Sequence, residues 1–285
     1  MISEASKEHI ENLTDFCWNV YQDPSKRTTP PYHTREELFN SLERQFNTPR
    51  HHIWTFHENE TLQAVLCLDI NHEIAYVQSI GGPYIYDSEQ YPRIASAFLR
   101  RLETLCADYE CYFGLPKTNR HGRNFLESEG FICVDDTVQM RVCACTFKPI
   151  FRDFNVCALS TPSFEDYKSF HDLHYVGYYW DAHKLFNDLD RWHVYLAYEG
   201  STIIGSTFAL PQTQNSGEIY GTTVLQNYEN TSLRAELLSA VTRACFEGGV
   251  TEVLNFVPEG VESDAALSCG YEMYDTYMAY HKKHI

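Results

Sequence analysis

The chain repeats one local phrase, and that repeat constrains its fold more than any other feature. From Leu126 to Val142 the sequence LESEGFICVDDTVQMRV ends a helix-like run at Gly130-Phe131 and then alternates as a strand does. From Leu267 to Lys282 the sequence LSCGYEMYDTYMAYHK does the same around Gly270-Tyr271. Upstream of each phrase a proline ends a short apolar run: Pro116 lies 14 residues before its glycine and Pro258 lies 12 before the other. A unit recurring at half-chain spacing has to fold twice. The 285 residues therefore read as two domains of one kind, 1–148 and 149–285.

The elements between these landmarks recur in the same order. In the first half a short strand (Ile2 to Ala5) precedes a helix carrying Ile10, Leu13, Phe16 and Cys17 at helical spacing. Thr34-Arg35-Glu36-Glu37 opens a second helix as a capping box. The run IWTFHENETLQAVLCLDI reads as a hairpin, IAYVQSI as a strand, residues 92–107 as a helix with Pro92 in its first turn, and CYFGLP as a short strand. The second half answers with NVCALS, a helix through Phe164, Tyr167 and Phe170, the hairpin WHVYLAYEGSTIIGSTFAL, and the strand EIYGTTVL. The helix TSLRAELLSAVTRACFEGG follows, stopped by Gly248-Gly249, and then the strand VLNFVP.

Composition sets limits on partners and setting. At 44% hydrophobic and 14% aromatic residues, the chain can bury real cores. The polar start, Met1 to Glu8, has no signal-peptide character, and no stretch reaches the roughly 18 apolar residues of a membrane span. Ten cysteines include no Cys-x-x-Cys; Cys143-x-Cys145 is the closest spacing. Cys17, Cys67, Cys106, Cys133, Cys245 and Cys269 sit among apolar residues, where a thiol acts as a small hydrophobe. Reduced thiols in a cytoplasmic protein are the expectation. Net charge is −17, with 14 Lys and Arg against 21 Asp and Glu up to Lys148, and 8 against 18 beyond it. That balance argues against a nucleic-acid partner, which needs basic patches, and fits a solvated surface.

The element order, with a Gly-aromatic closure after a short helix, resembles the GCN5-related N-acetyltransferase family. Both halves fit, as in tandem members. The resemblance implies an α/β fold with a mixed sheet, in two tandem acyl-CoA N-acyltransferase domains. It further implies acetyl-CoA as co-substrate and the amine of a small molecule or peptide as acceptor, with no metal; it leaves the oligomeric state open.

In that family the loop between the fourth strand and the next helix, Arg/Gln-x-x-Gly-x-Gly/Ala, holds the CoA pyrophosphate on backbone amides. The physical basis is the unsatisfied N–H groups and dipole at a helix N-terminus. In the second half the pattern falls on Glu229, Ser232 and Arg234, so the letters depart while the loop length is kept. The resemblance assigns Thr223, Val224 and Leu225 to the splayed strand beside the pantetheine. It assigns Asn230, Thr231, Ser232, Leu233 and Arg234 to the phosphate loop, with Arg234 adding charge. The first half places Asp87 and Glu89 where phosphate would lie and is expected not to bind CoA. Its Asn119 matches a family asparagine near the pantetheine, although an Asn there is equally a helix N-cap; Glu259 stands at the matching place in the second half.

For the chemistry, Glu218 falls where some members carry the general base, and by two-residue alternation it shares a strand face with Tyr220 and Thr222. Tyr220 is a candidate to relay a proton through water. The family's usual acid, a tyrosine four residues before the Gly-aromatic pair, is Leu126 in one half and Ala266 in the other. Tyr178, Tyr179, Trp180 and Asp181, in a region dense in aromatic and acidic residues, are candidates for the acceptor pocket. His171-x-x-His174 with His183 has no carboxylate or Cys pattern to complete a zinc site. Two other readings stand beside the enzyme: a degenerate tandem that binds acyl-CoA or another ligand without turnover, and an aminoacyl- or peptidyl-transferring relative, whose tRNA partner suits this acidic chain poorly.

Overall fold

A computed structural model describes residues 1–29, 31–151, 153–176, 178, 180–211 and 216–285. In the first half β1 (Ile2–Glu4) leads to α1 (Ile10–Tyr21) and α2 (Arg35–Phe46). Then come β2 (His51–Glu58), β3 (Thr61–Asn71), β4 (Tyr76–Ile85), α3 (Tyr91–Cys106), β5 (Glu110–Leu115), α4 (Arg120–Ser128) and β6 (Ile132–Cys143). The second half runs β7 (Asn155–Ala158), α5 (Phe164–His174), α6 (Ala182–Asn187), β8 (His193–Glu199) and β9 (Thr202–Pro211). It continues with β10 (Ser216–Val224), α7 (Leu233–Glu247), β11 (Glu252–Val257), α8 (Val261–Ser268) and β12 (Glu272–Lys282). The two halves repeat one order, as the sequence phrases require.

The compact units do not follow the halves. One comprises Met1–Asp136 with Thr276–Ile285, the other Thr137–Asp275. The division at Lys148 describes the sequence repeat; the polypeptide folds with its two closing strands exchanged. In the first unit β12 pairs antiparallel with β5 from Met278↔Leu115 to Lys282↔Cys111. In the second, β6 pairs antiparallel with β11 from Glu252↔Cys143 to Val257↔Val138. The physical reason lies in the edges: β5 and β11 each present unpaired backbone groups, and a strand from the other half satisfies them as well as its own would.

Each sheet is antiparallel except at one pair. The first unit orders its strands β1-β2-β3-β4-β5-β12 and the second β7-β8-β9-β10-β11-β6, with β4–β5 and β10–β11 parallel. Helices cover both faces, and strand alternation sorts the cores. On β3, Ala64, Leu66, Leu68 and Ile70 join the cluster under α3 and α4, whereas Val65 and Cys67 join that under α1 and α2. In the second unit Ile219, Val253 and Val257 pack with α7, while Val194, Leu196, Phe208 and Leu210 pack with α5 and α6. α7 is buried on nearly every side, from Leu233 to Thr242. The capping box at α2 forms: the Thr34 hydroxyl accepts from the Glu37 amide at 3.1 Å, and the Glu37 carboxylate accepts from the His33 amide, one residue earlier than the motif specifies.

Candidate functional site

Two strands that run parallel and then part make a fork, and each unit has one. In the second unit β10 and β11 pair from Ser216↔Glu252 to Ile219↔Asn255 and no further, though both strands continue. A bulge sits at this point: β10 pairs with β9 at Ile219↔Ala209 and next at Gly221↔Phe208, so Tyr220 is the extra residue. Gly221 is required here, because a Cβ on it would come within 2.8 Å of both the Phe208 and Tyr175 rings. A glycine inside a strand is the sequence signal for such a bulge.

The bulge corrects one expectation. Glu218 pairs with Leu210 and Tyr220 packs with Trp180 and Trp192, so both lie on the face under α5 and α6. Beyond the bulge the alternation shifts by one, and Thr222 turns to the α7 face, where its hydroxyl meets that of Thr207 at 2.8 Å. Glu218, Tyr220 and Thr222 do not share a face.

Past the fork, two carbonyls of β10 accept from side chains. The Tyr178 hydroxyl donates to Tyr220 O at 3.1 Å, and Arg234 Nη1 donates to Thr222 O at 2.7 Å. Arg234, the charge assigned to the phosphate loop, is 6% exposed, with Glu262 Oε2 3.5 Å from the same nitrogen. A buried guanidinium needs an oxygen partner, and the Thr222 carbonyl is within its reach. Thr223 is half-buried opposite Ser206. Val224 and Leu233 are core residues packed together with Leu237, so only their backbone remains for a ligand. Leu225 donates its amide to Ile204 O at 2.9 Å.

The loop into α7 is mixed in character. The Thr231 hydroxyl donates to Tyr228 O and accepts from the Leu233 amide; the Ser232 hydroxyl donates to Glu236 Oε1 at 2.7 Å. Glu236 is 1% exposed and also accepts from the amides of Asp153 and Phe154, which makes it a built-in anion in the first turn of α7. Asn230 is exposed. The amides of Asn230, Ser232, Arg234 and Ala235 have no acceptor among the described residues. Such a run at the start of a 15-residue helix is a set of donors aimed at an anion.

On the opposite face lies an aromatic wall. Trp192 is 4.8 Å from Trp180 and 5.2 Å from Tyr220 between ring centroids. Tyr175 sits beside the bulge, and burial pushes its phenol up to about 12, so it stays protonated at neutral pH. Asp181 is spent on α6: its carboxylate caps the Lys184 amide at 2.9 Å and pairs with the Lys184 ammonium, with the backbone bond foremost in lowering its pKa. Tyr179 lies outside the described residues. His171 is core: Nε2 donates to Trp180 O at 2.9 Å and Nδ1 accepts from the Tyr167 hydroxyl at 2.9 Å, so neither nitrogen offers a lone pair to a metal. Burial lowers its pKa.

The first unit's fork is occupied by its own chain. β4 and β5 pair from Tyr76↔Glu110 to Gln78↔Tyr112 and then part. The segment between α1 and α2 bonds to both strands: the Gly82 amide donates to Thr28 Oγ1 at 3.1 Å, and Thr29 Oγ1 donates to Gly114 O at 2.7 Å. Asn119 holds the same segment, giving Nδ2 to Arg27 O at 2.8 Å while its Oδ1 caps the Gly122 amide of α4. Asn119 is thus both N-cap and clamp. Thr28 and Thr29 are residues the sequence reading passed over; nothing in their spacing marks them. Asp87 caps the Glu89 amide, and Arg93 is drawn to Glu58 and Gln90.

The fold found here is that of the GCN5-related N-acetyltransferases, in tandem. An enzyme of this class from Sphaerobacter thermophilus superposes with a TM-score of 0.69 at 12% identity, over 100% of this chain and 96% of its own. A tandem protein of the class from the clavulanic acid biosynthesis pathway gives 0.57 at 12% identity, over 99% and 98%. One from Kribbella flavida gives 0.56 at 14% identity, over 85% and 92%. No family sequence model matches the chain, and no curated protein sequence does either.

Proposed function

We propose that the chain is an N-acyltransferase that takes acetyl-CoA into the fork of the second unit and transfers the acetyl group to the amine of a small molecule or peptide. The observation that carries this reading is the contrast between the two forks. In the first, Thr28 and Thr29 each engage one backbone group of a parting strand, the Gly82 amide and the Gly114 carbonyl. In the second, β10 is held past its bulge by two side chains, and four unbonded amides stand at the adjacent helix start. On this reading the first unit binds no CoA and serves as scaffold.

The residues then divide the work. The amides of Asn230, Ser232, Arg234 and Ala235 take the pyrophosphate, with Asn230 and Thr231 at the exposed rim of that loop. The backbone of Thr223, Val224 and Leu225 lines the pantetheine. Tyr178 and Trp180 with the Tyr220 ring make the acceptor's wall, an apolar surface with π-faces that suits an ammonium or its alkyl neighbour. Glu218, on the Tyr220 face, takes a proton from the incoming ammonium, with Tyr220 relaying through water. The amine nitrogen attacks the thioester carbonyl, the C–S bond breaks, and the nitrogen's second proton passes through water to the leaving thiolate, since Ala266 stands where the family's acid would be. We place the reaction in the cytoplasm: all ten cysteines are free thiols, and burial raises those of Cys17, Cys67 and Cys245, leaving them unreactive. Among the described residues no helix is long and apolar enough to cross a membrane.

A second reading, acyl-CoA binding without turnover, is favoured by Ala266, which leaves no tyrosine where the family's acid would be. Thermal unfolding with CoA and with acetyl-CoA, followed by a thiol-release assay over an amine panel, separates the two. Stabilisation by both nucleotides with thiol release supports the enzyme, and stabilisation without release supports the binder. No stabilisation removes both, because a ligand bound to the native state must raise its stability.

A further inference from the structure

Arg234 is charged, nearly buried and under-used. Of its five donors Nη1 serves Thr222 O at 2.7 Å, while Nε is buried with no acceptor among the described residues. Among the described residues its carboxylate partner is Glu262, whose Oε2 stands at 3.5 Å, beyond a good charge-assisted bond, and whose side chain is 34% exposed. Thr222 lies beyond the last β10–β11 pair, Ile219↔Asn255, and Arg234 holds its carbonyl.

We infer that Arg234 is a latch on the open edge of β10, and that an acyl thioester gains the fork only by displacing it. The inference rests on the acyl-CoA reading above and adds its regulation. An amide arm lying along β10 needs Thr222 O as acceptor for its N–H, and that oxygen is already bonded to a guanidinium. Displaced, the guanidinium moves closer to Glu262 and tightens their 3.5 Å ion pair into a charge-assisted hydrogen bond. The exchange trades one bond to Arg234 for another, so ligand affinity is set by the balance between Thr222 O and Glu262. A ligand whose binding-competent state is only partly populated pays that fraction in apparent affinity. The Arg234 side chain therefore acts against CoA, while its backbone amide stays among the phosphate donors.

The test has two variants of opposite sign. Arg234→Met keeps the apolar stem and removes the latch; CoA and acetyl-CoA, titrated by calorimetry, are expected to bind on the order of tenfold tighter, the worth of one bond to a charged donor. Glu262→Gln removes the receiving carboxylate and leaves Arg234 on Thr222 O, and is expected to weaken binding several-fold. Equal or weaker binding by Arg234→Met overturns the latch and returns Arg234 to the ligand contacts. Should that variant not fold, Glu262→Gln carries the test alone, and unchanged or tighter binding by it overturns the proposal. Hydrogen exchange of the peptide covering residues 219–225, in the protein alone, gives an arm that needs no CoA: faster exchange in Arg234→Met supports the latch, and equal exchange overturns it. If CoA binds neither wild type nor Arg234→Met, the acyl-CoA reading fails, and the exchange result still shows whether Arg234 holds the edge.

Discussion

Glu218 carries the most specific chemical claim at the scale of single residues. An acceptor that arrives as ammonium must lose a proton before its nitrogen can attack, and a positioned carboxylate contributes roughly 10²–10⁴-fold to such a step. The bulge at Tyr220 keeps Glu218 and Tyr220 on the aromatic face and sends Thr222 to the other, so the proposed base and the proposed acceptor wall are on one side of the sheet. Glu218→Gln keeps the shape and removes the base. Turnover should fall by about that range, CoA affinity should hold, and activity should partly return at high pH as free amine accumulates. Full activity at neutral pH would move the base elsewhere. Sequence spacing found Glu218 and Tyr220 but misplaced Thr222, because a bulge is a tertiary choice that only the close approach of Phe208 and Tyr175 to Gly221 reveals. It found Arg234 and Asp181 as charges and missed their engagements, since spacing does not say which oxygen or amide a side chain will meet.

At the scale of elements, the fork is the proposed site, and its state differs between units through one short segment. Thr28 is 1% exposed and satisfies the Gly82 amide; Thr29 satisfies Gly114 O. Replacing both threonines by Val keeps their volume and leaves those groups without partners, at about 1–3 kcal/mol for each buried one. Thermal unfolding should register that loss, while CoA affinity and turnover stay at wild-type values; a fall in either would implicate the first unit in the reaction. The helices and strands themselves were legible. Capping residues, glycine stops and alternation placed α2, α7 and both hairpins, because those signals are local. The threading of residues 27–29 between two strands was not, because a plain Thr-Thr carries no local signal.

At the scale of the whole molecule, two repeats were legible and the exchange of their closing strands was not. A strand that satisfies either of two like edges reads the same in sequence, so β6 and β12 gave no sign of crossing. The consequence is measurable. Tyr280, near the C-terminus, is fully buried in the first unit and its hydroxyl donates to Glu127 Oε1 at 2.9 Å. Tyr280→Ala should cost roughly 3–5 kcal/mol, the range for large aromatic truncations, and hydrogen exchange should show the loss in α3, α4 and β5. Loss confined to α7 and β11 would contradict the exchange.

The central claim is that one fork of the two is the acyl-CoA site, and hydrogen–deuterium exchange of the full chain with and without CoA tests it most directly. The account predicts protection on addition of CoA across residues 220–235, the free edge of β10 and the start of α7, with residues 79–93 of the first unit unchanged. Protection at 79–93, or the same degree of protection at both forks, would contradict it.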